Sequence, residues 1–114
     1  MAKLARCLVG GTFDRFHAGH KALLLAGLDA ADLVEVWIAN DKMSSHKSEF
    51  IQSFEQRRAN ILDWADERIS THELSDNFGP AVHRKDCDGI ICTPETLPTC
   101  NRINETRLKS GLTP

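Results

Sequence analysis

The sequence has no long apolar run, no excess of basic residues and no CxxC cysteine motif. A helix that crosses a bilayer needs about 20 consecutive apolar residues, so the first absence excludes a membrane-spanning protein. Dedicated nucleic-acid-binding proteins usually carry a basic excess, whereas this chain has a net charge of -2. The first residues also lack the pattern of a signal peptide. We therefore expect a cytoplasmic protein with neither a membrane nor a nucleic-acid partner.

The cysteines are Cys7, Cys87, Cys92 and Cys100. Structural zinc sites typically draw on CxxC-type pairs, so the spacing argues against a metal site, and none is expected elsewhere in the chain. Cys7 and Cys92 lie in apolar runs where a small hydrophobic residue would serve. We expect all four cysteines to be free thiols in a reducing compartment.

The length of 114 residues corresponds to one domain. Apolar and β-branched runs predict strands at 4–9, 33–39, 69–74 and 88–93. Helical periodicity and end signals, including a capping box at 53–56, predict helices at 18–31, 54–67 and 99–110, with a short helix at 80–83. The helix at 54–67 is expected to bury Phe54, Ile61, Leu62 and Ala65. Alternation of this kind is typical of an α/β fold, a Rossmann-like, doubly wound parallel sheet of four to five strands.

The segment GGTFDRFHAGHK, residues 10–21, joins the first predicted strand to the first predicted helix. Gly10 and Gly11 have no Cβ, so backbone can approach a ligand closely there. The helix that follows presents unpaired N–H groups and the positive end of its dipole, an arrangement that suits phosphate. The spacing matches neither a Walker A loop nor the GxGxxG motif. The segment predicts a phosphate-binding turn of another type.

His17 and His20 fall in the first turn of that helix, three residues apart, and face roughly the same side. Three interpretations are open for them: metal ligands, structural caps of the helix, or hydrogen-bond donors to phosphate oxygens as charge builds in a transition state. The last is favoured, because it also uses the glycine turn and the helix end.

Ligands of doubly wound sheets bind at the carboxyl ends of the strands. Three segments follow strand ends here: the glycine turn, the polar and basic loop at 42–48, and the stretch after residue 93. We expect these three segments to converge at one edge of the sheet.

The residues GGTFDRFHAGH resemble the GTFD-xxHxGH signature of the nucleotidylyltransferase superfamily. The segment 91–114, with Pro94-Glu95-Thr96, Ile103-Asn104-Glu105 and Thr106-Arg107, is similar to the archaeal and eukaryotic type of phosphopantetheine adenylyltransferase, and so is Ser45-His46-Lys47 ahead of a helix rich in arginine and glutamate. The resemblance covers nearly the whole chain.

The resemblance implies transfer of AMP from ATP to 4'-phosphopantetheine, giving dephospho-coenzyme A and pyrophosphate. It implies Mg²⁺ as a cofactor, because ATP normally arrives with it. The residues that match the family's ATP and phosphate site are Gly10, Gly11, Thr12, Phe13, His17, His20 and Arg107. Those that match its phosphopantetheine site are Thr12, Lys42 and Lys47. His20, His17 and Lys47 are the implied catalytic residues, and Lys42 is the fallback if the loop alignment slips.

Plainer interpretations stand beside these. The lysines of the loop can be solvated surface charges, and Asn104 and Arg107 can form an exposed polar helix face. Asp14 can be structural, accepting backbone N–H groups of its turn. His46, His72 and His83 have no motif support, and we expect them at the surface.

The sequence departs from the family at one point, because no ISSTxxR-like motif follows Leu112. We therefore expect residues 1–114 to form a single domain that lacks its C-terminal strand and helix. Two alternatives follow: another nucleotidylyltransferase, acting on glycerol phosphate, nicotinamide mononucleotide or flavin mononucleotide, and an inactive nucleotide-binding module.

Overall fold

The computed structural model describes residues 4–44, 51–76, 79–82, 84–93 and 96–112. In chain order they form β1 (Leu4–Gly11), α1 (Ala18–Ala30), β2 (Ala31–Ala39), α2 (Asp41–Ser44), α3 (Phe54–Trp64), β3 (Ile69–Leu74), a 3-10 helix (Gly79–Val82), β4 (Gly89–Ile91) and α4 (Leu97–Lys109). The strands make one four-stranded sheet in the order β3-β2-β1-β4, and each neighbouring pair is parallel. The predicted α/β fold with a parallel sheet is confirmed.

Helices cover both faces of the sheet. Successive side chains of a strand point to opposite faces, and Leu8 and Val9 of β1 accordingly belong to two different cores. The larger core lies under α1 and α3 and contains Val9, Phe13, Leu24, Leu28, Val34, Val36, Ile38, Ile61 and Ile69. The smaller core lies under the 3-10 helix and α4 and contains Leu8, Ala81, Val82, Cys87 and Ile103. The sheet is therefore doubly wound, as predicted.

Helix α3 differs from its prediction at its end and on its buried face. It ends at Trp64 rather than near residue 67, and just beyond it the Asp66 carboxylate accepts a hydrogen bond from the backbone N–H of Arg68 at 2.8 Å. Such local side-chain bonds compete with helix continuation. Leu62, predicted to be buried, is 44% exposed, whereas Arg57 is 0% exposed.

Other boundaries also shift. Residues 41–44, predicted as the start of a loop, form the short helix α2, where the Asn40 side chain accepts a hydrogen bond from the N–H of Met43 at 2.9 Å. β1 continues to Gly11, and β4 is shorter than predicted at Gly89–Ile91. α4 begins earlier, at Leu97, with Pro98 in its first turn, where its missing N–H costs nothing.

The structure also bears on the expectations for the cysteines and histidines. All four cysteines are free thiols, as predicted, although Cys92 is exposed. His72 lies at the surface, as expected, but is half-buried there, and its ring stacks on Trp37 with centroids 4.7 Å apart. His46 and His83 lie outside the described residues.

Within the described ranges, no helix has the length and apolar character to cross a membrane, and no cluster of side chains suits a metal ion.

Candidate active site

The turn after β1 holds an unusual backbone. Phe13 and Arg15 have φ angles of 56° and 47°, in the left-handed region that non-glycine residues rarely adopt. Burial of Phe13, which is only 3% exposed in the larger core, offsets the cost of its backbone conformation. The turn is thus anchored to the core by Phe13, and Thr12 beside it lines a groove at the carboxyl edge of the sheet.

A reciprocal pair of hydrogen bonds ties this turn to the start of α3. The Asp14 carboxylate accepts from the backbone N–H of Gln52 at 2.8 Å, and the Gln52 side-chain oxygen accepts from the N–H of Arg15 at 2.9 Å. The bond from Gln52 and the charge of Arg15 lower the pKa of Asp14 in spite of some burial. Asp14 is structural, as one interpretation predicted, but its N–H partner is 38 residues away rather than in its own turn.

His17 and His20 form a capping box at the start of α1. The Nδ1 atom of His17 accepts from the N–H of Gly19 at 3.1 Å, and the backbone N–H of His17 donates to Nδ1 of His20 at 3.2 Å. The rings stack with centroids 3.8 Å apart. A Cβ on Gly19 would lie 3.0 Å from the His17 ring, so glycine keeps the cap compact. The cap interpretation is therefore confirmed.

Capping also fixes which nitrogen of each ring carries the proton. An Nδ1 atom that accepts a hydrogen bond is unprotonated, so the neutral imidazole bears its hydrogen on Nε2. Burial, and the repulsion that a proton on His20 would meet from His17 beside it, lower the pKa of His20 and favour this neutral form. Each histidine thus keeps an Nε2–H donor that the cap does not use, and the cap leaves room for the predicted role as a phosphate donor. That role stays a prediction.

The described residues of the three segments predicted to converge do lie together. Two adjoining grooves share Gly10, Gly11, Thr12 and Thr96. One is completed by Phe13, Asp14, His20, Leu23, Ile51 and Thr93. The other is completed by Ala39, Met43, Leu74, Ile90, Ile91, Thr99, Cys100 and Ile103. The carboxyl ends of β1, β2 and β4 therefore meet at one site, as in other open α/β sheets.

Of the two lysines predicted to bind phosphate, the structure describes Lys42 but not Lys47. Lys42 lies exposed on α2, next to the groove-lining Met43. Lys47 lies outside the described residues. Phosphate binding by either lysine stays a prediction. Thr93 and Thr96 also line the site. The family resemblance included Thr96 without giving it a role, and for Thr93 the signal was its position at the end of a predicted strand.

Arg107 requires a correction. It was predicted either to bind nucleotide phosphate or to lie on an exposed helix face, but it is only 5% exposed. Its Nη1 donates to the carbonyls of Ala81 at 2.6 Å and Arg84 at 2.8 Å, and its Nη2 donates to that of Cys87 at 3.0 Å. These bonds bind α4 to the segment before β4. With Asn104 it lines a cavity that contains none of residues 10–12.

Sequence reasoning also missed Arg57. Its guanidinium donates to the backbone carbonyls of Gln52, Thr12 and Ala39, at 2.9, 2.7 and 2.8 Å, and pairs with the Asp41 carboxylate at 3.1 Å. The one signal in the sequence was position, because Arg57 precedes the buried Ile61 by four residues and so shares its helix face.

A parallel, doubly wound sheet with a glycine turn and a histidine-capped helix at its carboxyl edge defines a nucleotide-binding α/β domain. Residues 8–113 match the model of the Cytidylyltransferase-like family. The chain is similar to the phosphopantetheine adenylyltransferases of Methanopyrus kandleri (32% identity, 100% of this chain and 76% of the relative) and Methanosarcina barkeri (34% identity, 95% and 71%). It therefore belongs to the cytidylyltransferase-like family and, within it, to the family of phosphopantetheine adenylyltransferases.

Solved structures agree with this fold. A protein of unknown function from Archaeoglobus fulgidus superposes with a TM-score of 0.78 at 20% identity, over 94% of this chain and 90% of the other. At that identity the likeness concerns the fold alone.

Proposed function

We propose that this protein transfers AMP from ATP to 4'-phosphopantetheine, releasing pyrophosphate and forming dephospho-coenzyme A, as a step of coenzyme A biosynthesis in the cytoplasm. A phosphate oxygen of the acceptor forms a bond to the α-phosphorus of ATP. The bond from that phosphorus to the bridging oxygen of pyrophosphate breaks, and pyrophosphate leaves. The membership of the chain in the phosphopantetheine adenylyltransferase family supports the choice of substrates.

The observation that carries the proposal is the histidine cap beside the glycine turn. Helix α1 has no acidic residue in its first turn, so its positive dipole end is available to an anion. The Nε2–H groups of His17 and His20 add two donors at the same helix end. Donors held in place in this way stabilise charge that develops on the phosphate oxygens without having to reorganise.

The remaining roles follow from position. Gly10, Gly11 and Phe13 shape the backbone that receives the phosphates of ATP, and Thr12 contributes a hydroxyl between the two substrates. Lys42 and Lys47 neutralise the phosphate of phosphopantetheine from the segment after β2. Mg²⁺ would accompany ATP and neutralise its β- and γ-phosphates.

The test is a pyrophosphate-release assay with ATP and 4'-phosphopantetheine. Glycerol phosphate, nicotinamide mononucleotide and flavin mononucleotide serve as competing acceptors under the same conditions. We expect pyrophosphate release with ATP and phosphopantetheine, and none with the other three acceptors. Turnover with another of these acceptors would assign a different nucleotidylyltransferase, and ATP binding without any turnover would leave only a nucleotide-binding module.

The role of His20 is tested with His20→Ala. We expect kcat to fall roughly 100-fold or more, since one such donor contributes about 3 kcal/mol to the transition state, while the Kd for ATP changes little. His72→Ala, which removes a histidine far along the chain on β3, is the control and should retain wild-type kcat. Equal losses in kcat and in ATP affinity would contradict a role confined to the transition state.

A further inference from the structure

We propose that Arg57 is a positioning residue that sets the distance between the phosphate-binding turn and the acceptor side of the site. The inference rests on the proposed function for its catalytic consequence. Its structural part, the link between the ends of β1 and β2, stands on the contacts of the guanidinium alone.

The contacts join β1 and β2 just past Gly11 and Ile38, the last residues that the two strands pair with each other. The same Nη1 atom donates to the carbonyl of Thr12, just past β1, and to that of Ala39, the last residue of β2. Thr12 lines both grooves of the site, and Ala39 lines one of them. A single nitrogen therefore continues the link between the two strands past their last paired residues, on the two sides of the site.

The other two nitrogens extend the link to the segment that carries Lys42. Nη2 bonds to the carboxylate of Asp41, the first residue of α2, and the same Oδ1 atom accepts from the N–H of Phe54 at 2.7 Å. Nε bonds to the carbonyl of Gln52, the residue that also braces Asp14. Helix α2 and the start of α3 are thus held to the turn through one side chain.

The chemistry of the side chain explains why arginine occupies this place. Burying a charge is costly unless its hydrogen bonds are satisfied, and Arg57 is 0% exposed. A planar guanidinium presents five donors in a rigid fork, so it can satisfy several carbonyls that point in different directions. A lysine ammonium at the same position retains the charge but lacks the fork, which makes Arg57→Lys the sharpest perturbation.

In the proposed reaction the acceptor oxygen must lie in line with the leaving pyrophosphate. A displacement of about 1 Å costs about 100-fold in rate. Loss of the fork therefore lowers kcat, because the segment with Lys42 is no longer held in register with Thr12. The KM for ATP should change much less than kcat, since the turn that receives ATP is also held by β1, by the buried Phe13 ring and by the bond between Asp14 and Gln52.

The experiment compares Arg57→Lys with two controls on α3. Arg58→Lys makes the same exchange at the next residue, whose guanidinium bonds to Thr71 on β3 rather than to the site. Ile61→Val removes one methyl group from a fully buried side chain, which controls for simple destabilisation. All proteins are assayed for kcat and KM well below their Tm, and amide hydrogen exchange is followed at residues 12–16 and 40–44.

We expect kcat of Arg57→Lys to fall about 30- to 100-fold, with KM for ATP within about threefold, and both controls to remain near wild type. Faster exchange at 12–16 and 40–44 should accompany the loss in Arg57→Lys alone. A kcat loss equal to that of Ile61→Val at matched stability would overturn the proposal. If wild type shows no turnover, the proposed function fails, and unchanged exchange in Arg57→Lys then refutes the positioning role independently.

Discussion

Glu35 is a buried carboxylate on β2 whose replacement by glutamine should destabilise the protein in a pH-dependent way. It is 3% exposed, yet both of its oxygens are hydrogen-bonded. Arg84 binds it bidentately at 2.7 and 3.0 Å, Arg6 donates at 2.6 Å, and the Trp37 indole donates at 3.0 Å. Glu35→Gln keeps the size of the side chain and removes its charge.

The magnitude follows from the pKa of Glu35. Burial alone would raise it, but the hydrogen bonds from Arg84, Arg6 and Trp37 outweigh burial and lower the pKa from 4.5 to about 2. A depressed pKa means that the ionised carboxylate of Glu35 is more stable in the folded state than in the unfolded state. The shift corresponds to on the order of 3 kcal/mol of stability. That contribution is complete above the unfolded pKa and is lost as pH falls from there towards about 2.

The assay is urea unfolding of wild type and Glu35→Gln at a series of pH values. At neutral pH we expect the variant to be less stable by about 3 kcal/mol, and the difference should shrink steadily below about pH 4.5. Glu73→Gln, at an exposed position of β3, is the control and should stay close to wild type. A difference between wild type and Glu35→Gln that is the same at pH 3 and pH 7 would refute the reasoning, because it would assign the loss to packing rather than to charge.

Substitutions at two further sites test stability apart from catalysis. Arg107→Met should lower the free energy of unfolding by about 2–4 kcal/mol, because buried carbonyls lose their donors, and should leave kcat in the pyrophosphate assay unchanged; a kcat loss without destabilisation would restore Arg107 to the active site. Ser53→Ala removes the side-chain oxygen that accepts from the N–H of Gln56 at 3.2 Å and should cost about 1 kcal/mol in urea unfolding. Ser53→Asp, which keeps a capping oxygen, should lose much less, and equal losses would contradict the capping role.

The parts of the fold that sequence predicted well are those that local pattern decides. Val34, Val36 and Ile38 lie in a nearly continuous apolar run, and all three are 0% exposed, as a central parallel strand requires. The glycine turn and the start of α1 could be predicted for a similar reason, because glycine and capping residues act on backbone only a few positions away. The site at the carboxyl edge then followed from topology alone.

The sequence did not reveal which groups its two buried arginines contact. Arg57 and Arg107 lie in polar stretches that are typical of a solvated helix face, and nothing within four residues of either discloses which carbonyls it will reach. Those acceptors are 18 and 45 residues away for Ala39 and Thr12, and 26 and 20 residues away for Ala81 and Cys87. Burial of a charge is decided by such distant partners, so a local pattern predicts exposure by default.

The two buried arginines also allow a comparison within one protein. Each places a guanidinium against backbone carbonyls from distant parts of the chain, but Arg107 acts beneath α4, whereas Arg57 acts between the strand ends that line the site. If buried arginines here only satisfy carbonyls, both variants should lose stability and neither should lose kcat. If the strand ends must be held in register for in-line transfer, only Arg57→Lys should lower kcat. The pair thus separates the stability of the fold from the geometry of the reaction, with the same kind of side chain on both sides of the comparison.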